Sequence, residues 1–215
     1  MLNIEKSIKD GYKNFNDKPI VLLPAFILSF LNAIVRVMSM SMTSMNIYGI
    51  FLFLIAIIIM SLISVFVAGL MVRFLFVKKV SIENEVNNVS KVYLSLLVAG
   101  IVYALAVTGG LVALIIPGII IAIRLGFYNY SVILDRKGFE ESLKFSWKIT
   151  KNNGWRILIL GLMLSITAFV LGFFSGLISL VSQLSSVIAS FLINAFIIPL
   201  FSSIYMMAYL QLKKH

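Results

Sequence analysis

The chain has 215 residues, 61 % of them hydrophobic, a mean hydropathy of +1.07 and a formal net charge of +10. A soluble domain is usually about 45–50 % apolar, so this composition excludes an ordinary soluble protein. A pI near 9.9 would point a soluble chain toward nucleic acid; in an apolar chain it reads as positive charge held on one side of a bilayer and drawn to anionic head groups, with no nucleic-acid partner.

Charge alternates along the sequence. Met1–Lys18, Lys78–Lys91, Asp135–Arg156 and Leu212–His215 hold nearly every Lys and Arg and all the acids, whereas Met38–Asn46, Thr108–Gly118 and Phe173–Ser186 hold no charge. Lys and Arg stay in cytoplasmic loops because they are hard to translocate. The alternation therefore predicts six spans in a cell membrane, with both termini cytoplasmic. Six spans of about 20 residues each use most of the chain, so residues 1–215 form one membrane domain.

The first segment predicts a surface helix, with Ile4, Ile8, Tyr12 and Phe15 on one face and Glu5, Lys6, Lys9 and Lys13 opposite. The apolar run after it is too long for a cleaved signal peptide. Span one is expected over Pro19–Met38, and Arg36 lies near its outer end with Asn32 one turn earlier on the same face. Span two is expected over Ile47–Val77, long enough to tilt or project, with Arg73 one turn inside its end.

A second surface helix is expected after Ser81, a capping residue, with Glu83 and Glu85 in its first turn and Ile82, Val86, Val89 and Tyr93 aligned. Spans three and four share Tyr93–Leu134, with a tight outer turn at Gly109-Gly110 or at Pro117-Gly118. A third surface helix aligns Phe139, Leu143, Trp147 and Thr150 and pairs Glu140 with Lys144. Such helices lie in the head-group layer. Span five is expected from Trp155 to near Phe173, and span six over Val187–Leu210 with a kink at Pro199. The expected fold is all-α: six transmembrane helices and three amphipathic cytoplasmic helices.

Ser7-Ile8-Lys9-x-x-Tyr12-Lys13 matches Ser142-Leu143-Lys144-x-x-Trp147-Lys148, and an apolar span follows each. This suggests three parallel units of surface helix plus hairpin, 1–78, 79–136 and 137–215, unlike the inverted repeats of many transporters. Convergence of short amphipathic helices on one pattern is the alternative.

The run Ile115-Ile116-Pro117-Gly118-Ile119-Ile120, then Arg124-Leu125-x-Phe127, then Leu134-Asp135-x-x-Gly138-x-x-x-Ser142-Leu143-x-x-Ser146-Trp147-x-x-Thr150, then Trp155, resembles the membrane domain associated with glycerophosphoryl diester phosphodiesterases and the related YciC-like multi-pass proteins. The likeness covers about 45 residues, Ile115 to Leu160, and departs from the family at Ser142, where Ala is usual. The resemblance implies a multi-pass membrane fold. It implies no activity, because the phosphodiesterase chemistry of those proteins belongs to a separate soluble domain.

Arg124 is the sharpest candidate. It lies seven residues past Pro117, about 10 Å along a helix, which places it inside span four in its outer half. An intramembrane charge defaults to a functional reading with a named partner, yet no acid lies within the apolar body of any span. The candidates for Arg124 are a lipid phosphate or another anion, snorkelling to the interface, or repair of the backbone at Pro117-Gly118. Arg36, with Asn32 on the same face, reads first as an arginine snorkelling to the outer interface; if it converges with Arg124, the two would make one positive outer pocket suited to a lipid phosphate. Asn129 and Asn194 read as polar glue between helices, and Gly172-x-x-x-Gly176 as a close-packing motif within the chain or at a dimer face.

The only His is the terminal His215, which argues against a Ser-His-Asp arrangement and a His-based zinc site. Asp135, Glu140 and Glu141 are interleaved with Lys and read as a solvated face, not a metal site. Asn88-x-Ser90 matches a glycosylation sequon on the expected inner side and is discounted. The sequence thus predicts a non-enzymatic membrane protein, without cofactor or metal, that handles or senses a lipid or another amphipathic anion. Its expected partners are membrane lipids, anionic head groups at the cytoplasmic face above all. A homo-oligomer or a membrane-protein partner is compatible with it. The alternatives are a small permease or channel, and a scaffold that docks a partner through its surface helices.

Overall fold

The structure is a computed structural model and describes residues 1–40, 46–180 and 182–214. His215 and parts of the uncharged stretches Met38–Asn46 and Phe173–Ser186 lie outside the described residues. The described residues are helical almost throughout, with six segments long and apolar enough to cross a membrane.

Helix α1 (Ile4–Asn16) starts at Asn3, whose side chain accepts from the Lys6 N–H. It stops before Pro19, where a 3-10 turn (Pro19–Val21) leads into α2 (Leu22–Met40). Helix α3 (Ile47–Phe76) is capped by Asn46. Helix α4 (Ile82–Ala113) follows a short turn. Span four is divided into α5 (Ile115–Leu125) and α6 (Tyr128–Asp135). Then come α7 (Phe139–Thr150), α8 (Gly154–Ile178) and α9 (Gln183–Lys213), which includes Pro199 within its length.

One expectation is corrected by the helix limits. The second amphipathic segment is not a separate surface helix: Ile82–Tyr93 forms the first turns of α4, which has 32 residues. No Pro or Gly interrupts the chain between Ile82 and Ala99, so nothing breaks the helix as Pro19 ends α1 and Gly154 restarts the chain after α7. At 1.5 Å per residue α4 is about 48 Å long, well beyond a hydrocarbon core of roughly 30 Å, so its charged start projects.

The first and third amphipathic segments are the helices α1 and α7. α1 buries Ser7 and Gly11 and leaves Tyr12 exposed, and α7 buries Ser142, Leu143, Ser146 and Thr150 and leaves Trp147 and Phe139 exposed. Small side chains permit close helix approach. A Cβ on Gly11 would lie 2.6 Å from the Ile204 Cα of α9, and the Ser203 hydroxyl donates to the Gly11 carbonyl at 2.8 Å. The aromatic side chains are thereby left outside the bundle.

The turn between spans three and four falls at Leu114, between Gly109-Gly110 and Pro117-Gly118. Gly110 and Gly118 face each other across it: a Cβ on Gly110 would meet the Gly118 Cα at 2.9 Å.

The buried core lies toward the end that carries both termini, where Leu2, Leu75, Phe127, Tyr130, Tyr209 and Leu212 pack. Asn3 N–H donates to the Gln211 side chain at 3.0 Å, joining the first and last helices. Along the rest of the bundle, Ile, Leu and Phe of α3, α4 and α8 point outward, as lipid-facing side chains do.

A polar chain fastens this end. Arg73 of α3 pairs with Glu85 of α4 at 2.6 Å, with both side chains nearly buried. Asn88 donates to the same carboxylate at 3.3 Å and accepts from Arg136 at 2.7 Å. Arg136 itself has φ 55°, left-handed backbone that is uncommon outside Gly, and closes α6. Asp135 accepts from Tyr209 and Lys213 of α9 at 2.7 and 2.5 Å. Lys18 donates to the Leu75 carbonyl, and burial lowers its ammonium below the ordinary lysine range against the opposing effect of Asp17. Glu140 pairs with Lys144 at 2.5 Å and Glu141 with Lys137. Among the described residues no group of acids or His is placed to hold a metal.

Candidate functional site

The break between α5 and α6 organises the first site. A helix end leaves carbonyls and N–H groups without partners, and in a membrane these must be satisfied within the protein. α7 folds back beside the break and supplies the partners. The Ser146 hydroxyl donates to the Arg124 carbonyl at 2.8 Å and accepts from the Phe127 N–H at 3.1 Å, bridging the gap with one side chain. Thr150 adds a second donor to the Arg124 carbonyl at 3.2 Å. Replacing Ser146 by Ala is expected to cost about 1–3 kcal/mol, because the Phe127 N–H is left buried without a partner. The check is apparent melting in a mild detergent; a melting temperature equal to wild type would mean that Thr150 or water suffices.

The Arg124 side chain runs over the Trp147 ring, with its Cζ 5.7 Å from the centroid, a cation–π distance. Its Nη1 is buried and has no hydrogen-bond partner among the described residues. It borders a cleft of about 430 Å³ lined by Ile116, Ile119, Ile120, Ile123, Trp155 and Leu158. The site therefore joins one cation to an otherwise apolar groove with an exposed Trp155 beside it.

Its position differs from the expectation. Arg124 lies against the first turn of α8, next to Gly154 and Trp155. Two residues on, Arg156 donates to the Leu2 carbonyl at 2.7 Å. Arg124 thus belongs to the end that carries the termini and not to the outer half. Counting from Pro117 measured distance along the helix correctly, but not the fold-back of α7 that brings this end of α8 up to it.

Arg36 and Arg124 do not converge. Arg36 donates to the hydroxyls of Ser190, and of Ser186 at 3.3 Å, both in the first turns of α9. Ser190 in turn contacts Ser175 of α8 at 2.7 Å. Arg36 points into the bundle and does not snorkel outward. With Ser29, Asn32 and Asn194 it lines a cavity of about 310 Å³ between α2 and α9.

Residues 102–210, roughly half of the chain, match the family described as Domain of unknown function (DUF7847). The chain belongs to the DUF7847 family. It matches no curated protein and no solved structure. The DUF7847 segment holds the whole Arg124 site, from Ile116 to Leu158, together with Asn194 and the serines of α9; Asn32 and Arg36 lie before it.

Within the DUF7847 segment Asn129 faces two cavities. One, of about 540 Å³, lies among α3, α4 and α6 with Ser61, Tyr128 and Ser202 in its wall; the other, of about 410 Å³, lies among α5, α6 and α8 with Tyr205 and Ser165 in its wall. Tyr103 lines both and packs on Tyr128 with ring centroids 5.1 Å apart. The Asn129 amide oxygen accepts from the neighbouring Tyr130 N–H in its own helix at 2.9 Å, so it is a cavity residue and not glue between helices. Asn194 likewise faces the Arg36 cavity. Gly172 and Gly176 are exposed, and a Cβ at either would meet nothing within 4 Å. They do not pack within the chain, because α8 turns Ser175, not the glycines, toward α9.

Ser146 and Thr150 belong to the motif that carries the family resemblance, but their task depends on a helix break that periodicity does not reveal.

Proposed function

We propose that this protein binds an anionic amphipathic molecule, a membrane lipid in the first instance, with the charged head group on Arg124 and an acyl chain along the cleft lined by Ile116, Ile120 and Leu158. The observation that carries this reading is the unpartnered, buried Arg124 Nη1 at the rim of an apolar cleft. A guanidinium in that setting favours a phosphate or carboxylate, which accepts two parallel N–H bonds. No carboxylate borders the cleft to compete for it. Trp147 and Trp155 suit the layer between head groups and chains. The excess of Lys and Arg at this end supports a cytoplasmic location for both termini and attraction to the anionic leaflet of the cell membrane. The likeness of Ile115–Leu160 to the phosphodiesterase-associated membrane domain falls inside the family segment and fits a lipid-facing module. The cleft holds a guanidinium and indole groups and no acid–base pair, so the reading contains no catalytic step.

The test is native mass spectrometry of the full chain extracted gently from its membrane, wild type beside Arg124→Ala. An anionic lipid is expected to stay with the wild type and to be retained at least tenfold less by the variant, since a hydrogen bond to a charged group is worth about 1.5–3 kcal/mol. Equal retention would remove Arg124 from lipid binding. No retained lipid in either protein would shift weight to a partner-docking scaffold.

A further inference from the structure

The chamber around Arg36 is a second and independent site. Its polar lining consists of Ser29, Asn32, Arg36, Ser190 and Asn194. Arg36 already donates to Ser186 and Ser190, but these hydroxyls are dipoles and leave the positive charge standing. Each donates its own O–H to the helix backbone, Ser190 to the Ser186 carbonyl at 2.7 Å and Ser186 to the Gln183 carbonyl at 2.8 Å. No acid occurs between Asp17 and Glu83 or after Glu141, so neither α2 nor α9, which line the chamber, nor α8, which reaches Ser190 through Ser175, supplies a counter-charge.

A second observation lies in the same wall. Ser29 lines the chamber, is only 1 % exposed, and its hydroxyl has no partner among the described residues. A buried hydroxyl without a partner costs about 1–3 kcal/mol, and an uncompensated intramembrane Arg costs more. One occupant relieves both: an anion that accepts from the guanidinium and the Ser29 O–H, with the amide groups of Asn32 and Asn194 in the same wall. The guanidinium fork selects an oxyanion, and about 310 Å³ admits a single tetrahedral one with room for water. We infer that this chamber binds a phosphate-type oxyanion, either free phosphate or the phosphate of a lipid head group.

The experiment uses the full chain in detergent after exchange to remove bound lipid. Inorganic phosphate is titrated in one arm and short-chain phosphatidic acid in the other, with calorimetry and melting temperature as readouts. Saturable binding in at least one arm is expected. Arg36→Met, which keeps much of the stem, is expected to weaken it by about tenfold or more, and Ser29→Ala by several-fold, consistent with hydrogen bonds to a charged group. Binding of phosphate alone identifies a soluble oxyanion as the source, and binding of phosphatidic acid alone identifies a head group. Absence of binding in both arms overturns the inference, as does equal affinity in wild type, Arg36→Met and Ser29→Ala. Should Arg36→Met fail to fold, Ser29→Ala decides, because it removes only a hydroxyl.

Discussion

Glu85→Ala is expected to destabilise the protein by about 3–5 kcal/mol, the cost of breaking a buried ion pair from one side. The substitution strands the Arg73 guanidinium, whose side chain is 11 % exposed, and removes the acceptor for Asn88. Arg136, which closes α6 in a left-handed conformation, is held through Asn88, so the loss reaches the turn between α6 and α7. The expected readout is a large drop in apparent melting temperature in mild detergent. The double variant Arg73→Met/Glu85→Leu should recover most of it, because a buried pair replaced by apolar residues of similar volume is often neutral or stabilising. A double-mutant cycle gives the coupling directly. Unchanged melting in Glu85→Ala, or a double variant less stable than either single one, would show that water screens this pair.

The second large effect is expected at Gly118. A Cβ there would lie 2.5 Å from Leu111 Cγ and 2.6 Å from the Leu111 backbone nitrogen. A side chain could swing aside, but backbone cannot, so Gly118→Val must separate α4 from α5. Overpacking of this kind costs roughly 1–3 kcal/mol or more, and helix association in lipid depends on such small-residue contacts. Gly109→Ala is the matched control. Nothing lies within 4 Å of a Cβ at Gly109, and relief of glycine's backbone freedom within a helix favours the variant by up to about 1 kcal/mol. The chain has no Cys, so single cysteines on α4 and α5 can report the separation by cross-linking without background. Equal melting and equal cross-linking in the two variants would sink the close approach of the hairpin.

Both effects arise at positions whose residue types were plain in the sequence but whose partners were not. Glu85 read as an acid in a first helical turn, which is correct. That Arg73 reaches it across the α3–α4 turn is a matter of how two helices pack. Gly110 and Gly118 both read as turn residues, whereas the turn itself falls on Leu114 between them and the glycines serve the contact.

The candidate sites divide in the same way. Arg124, Arg36 and Asn32 stood out because charged and amide groups are rare in apolar segments, and that signal needs only the sequence. Their environments did not follow from it. Distance along the helix from Pro117 puts Arg124 in the outer half, whereas it lies at the end with the termini, beside Trp147 and Trp155. Arg36 faces the serines of α9, which follow it by about 150 residues in the chain. The Gly172-x-x-x-Gly176 motif, a sound signal for close packing, faces outward here.

The sequence by itself determined the six apolar helices, the limits of the first two to within two residues and the candidate arginines, because hydropathy and charge act locally along the chain. The tertiary structure alone decided that α4 absorbs a surface helix, that span four breaks after Arg124, and that Ser146 of α7 mends the break. These outcomes depend on which backbone groups would otherwise be left without partners away from water, and on which small side chains let two helices touch. Both conditions are met between residues far apart in the chain, where periodicity carries no information.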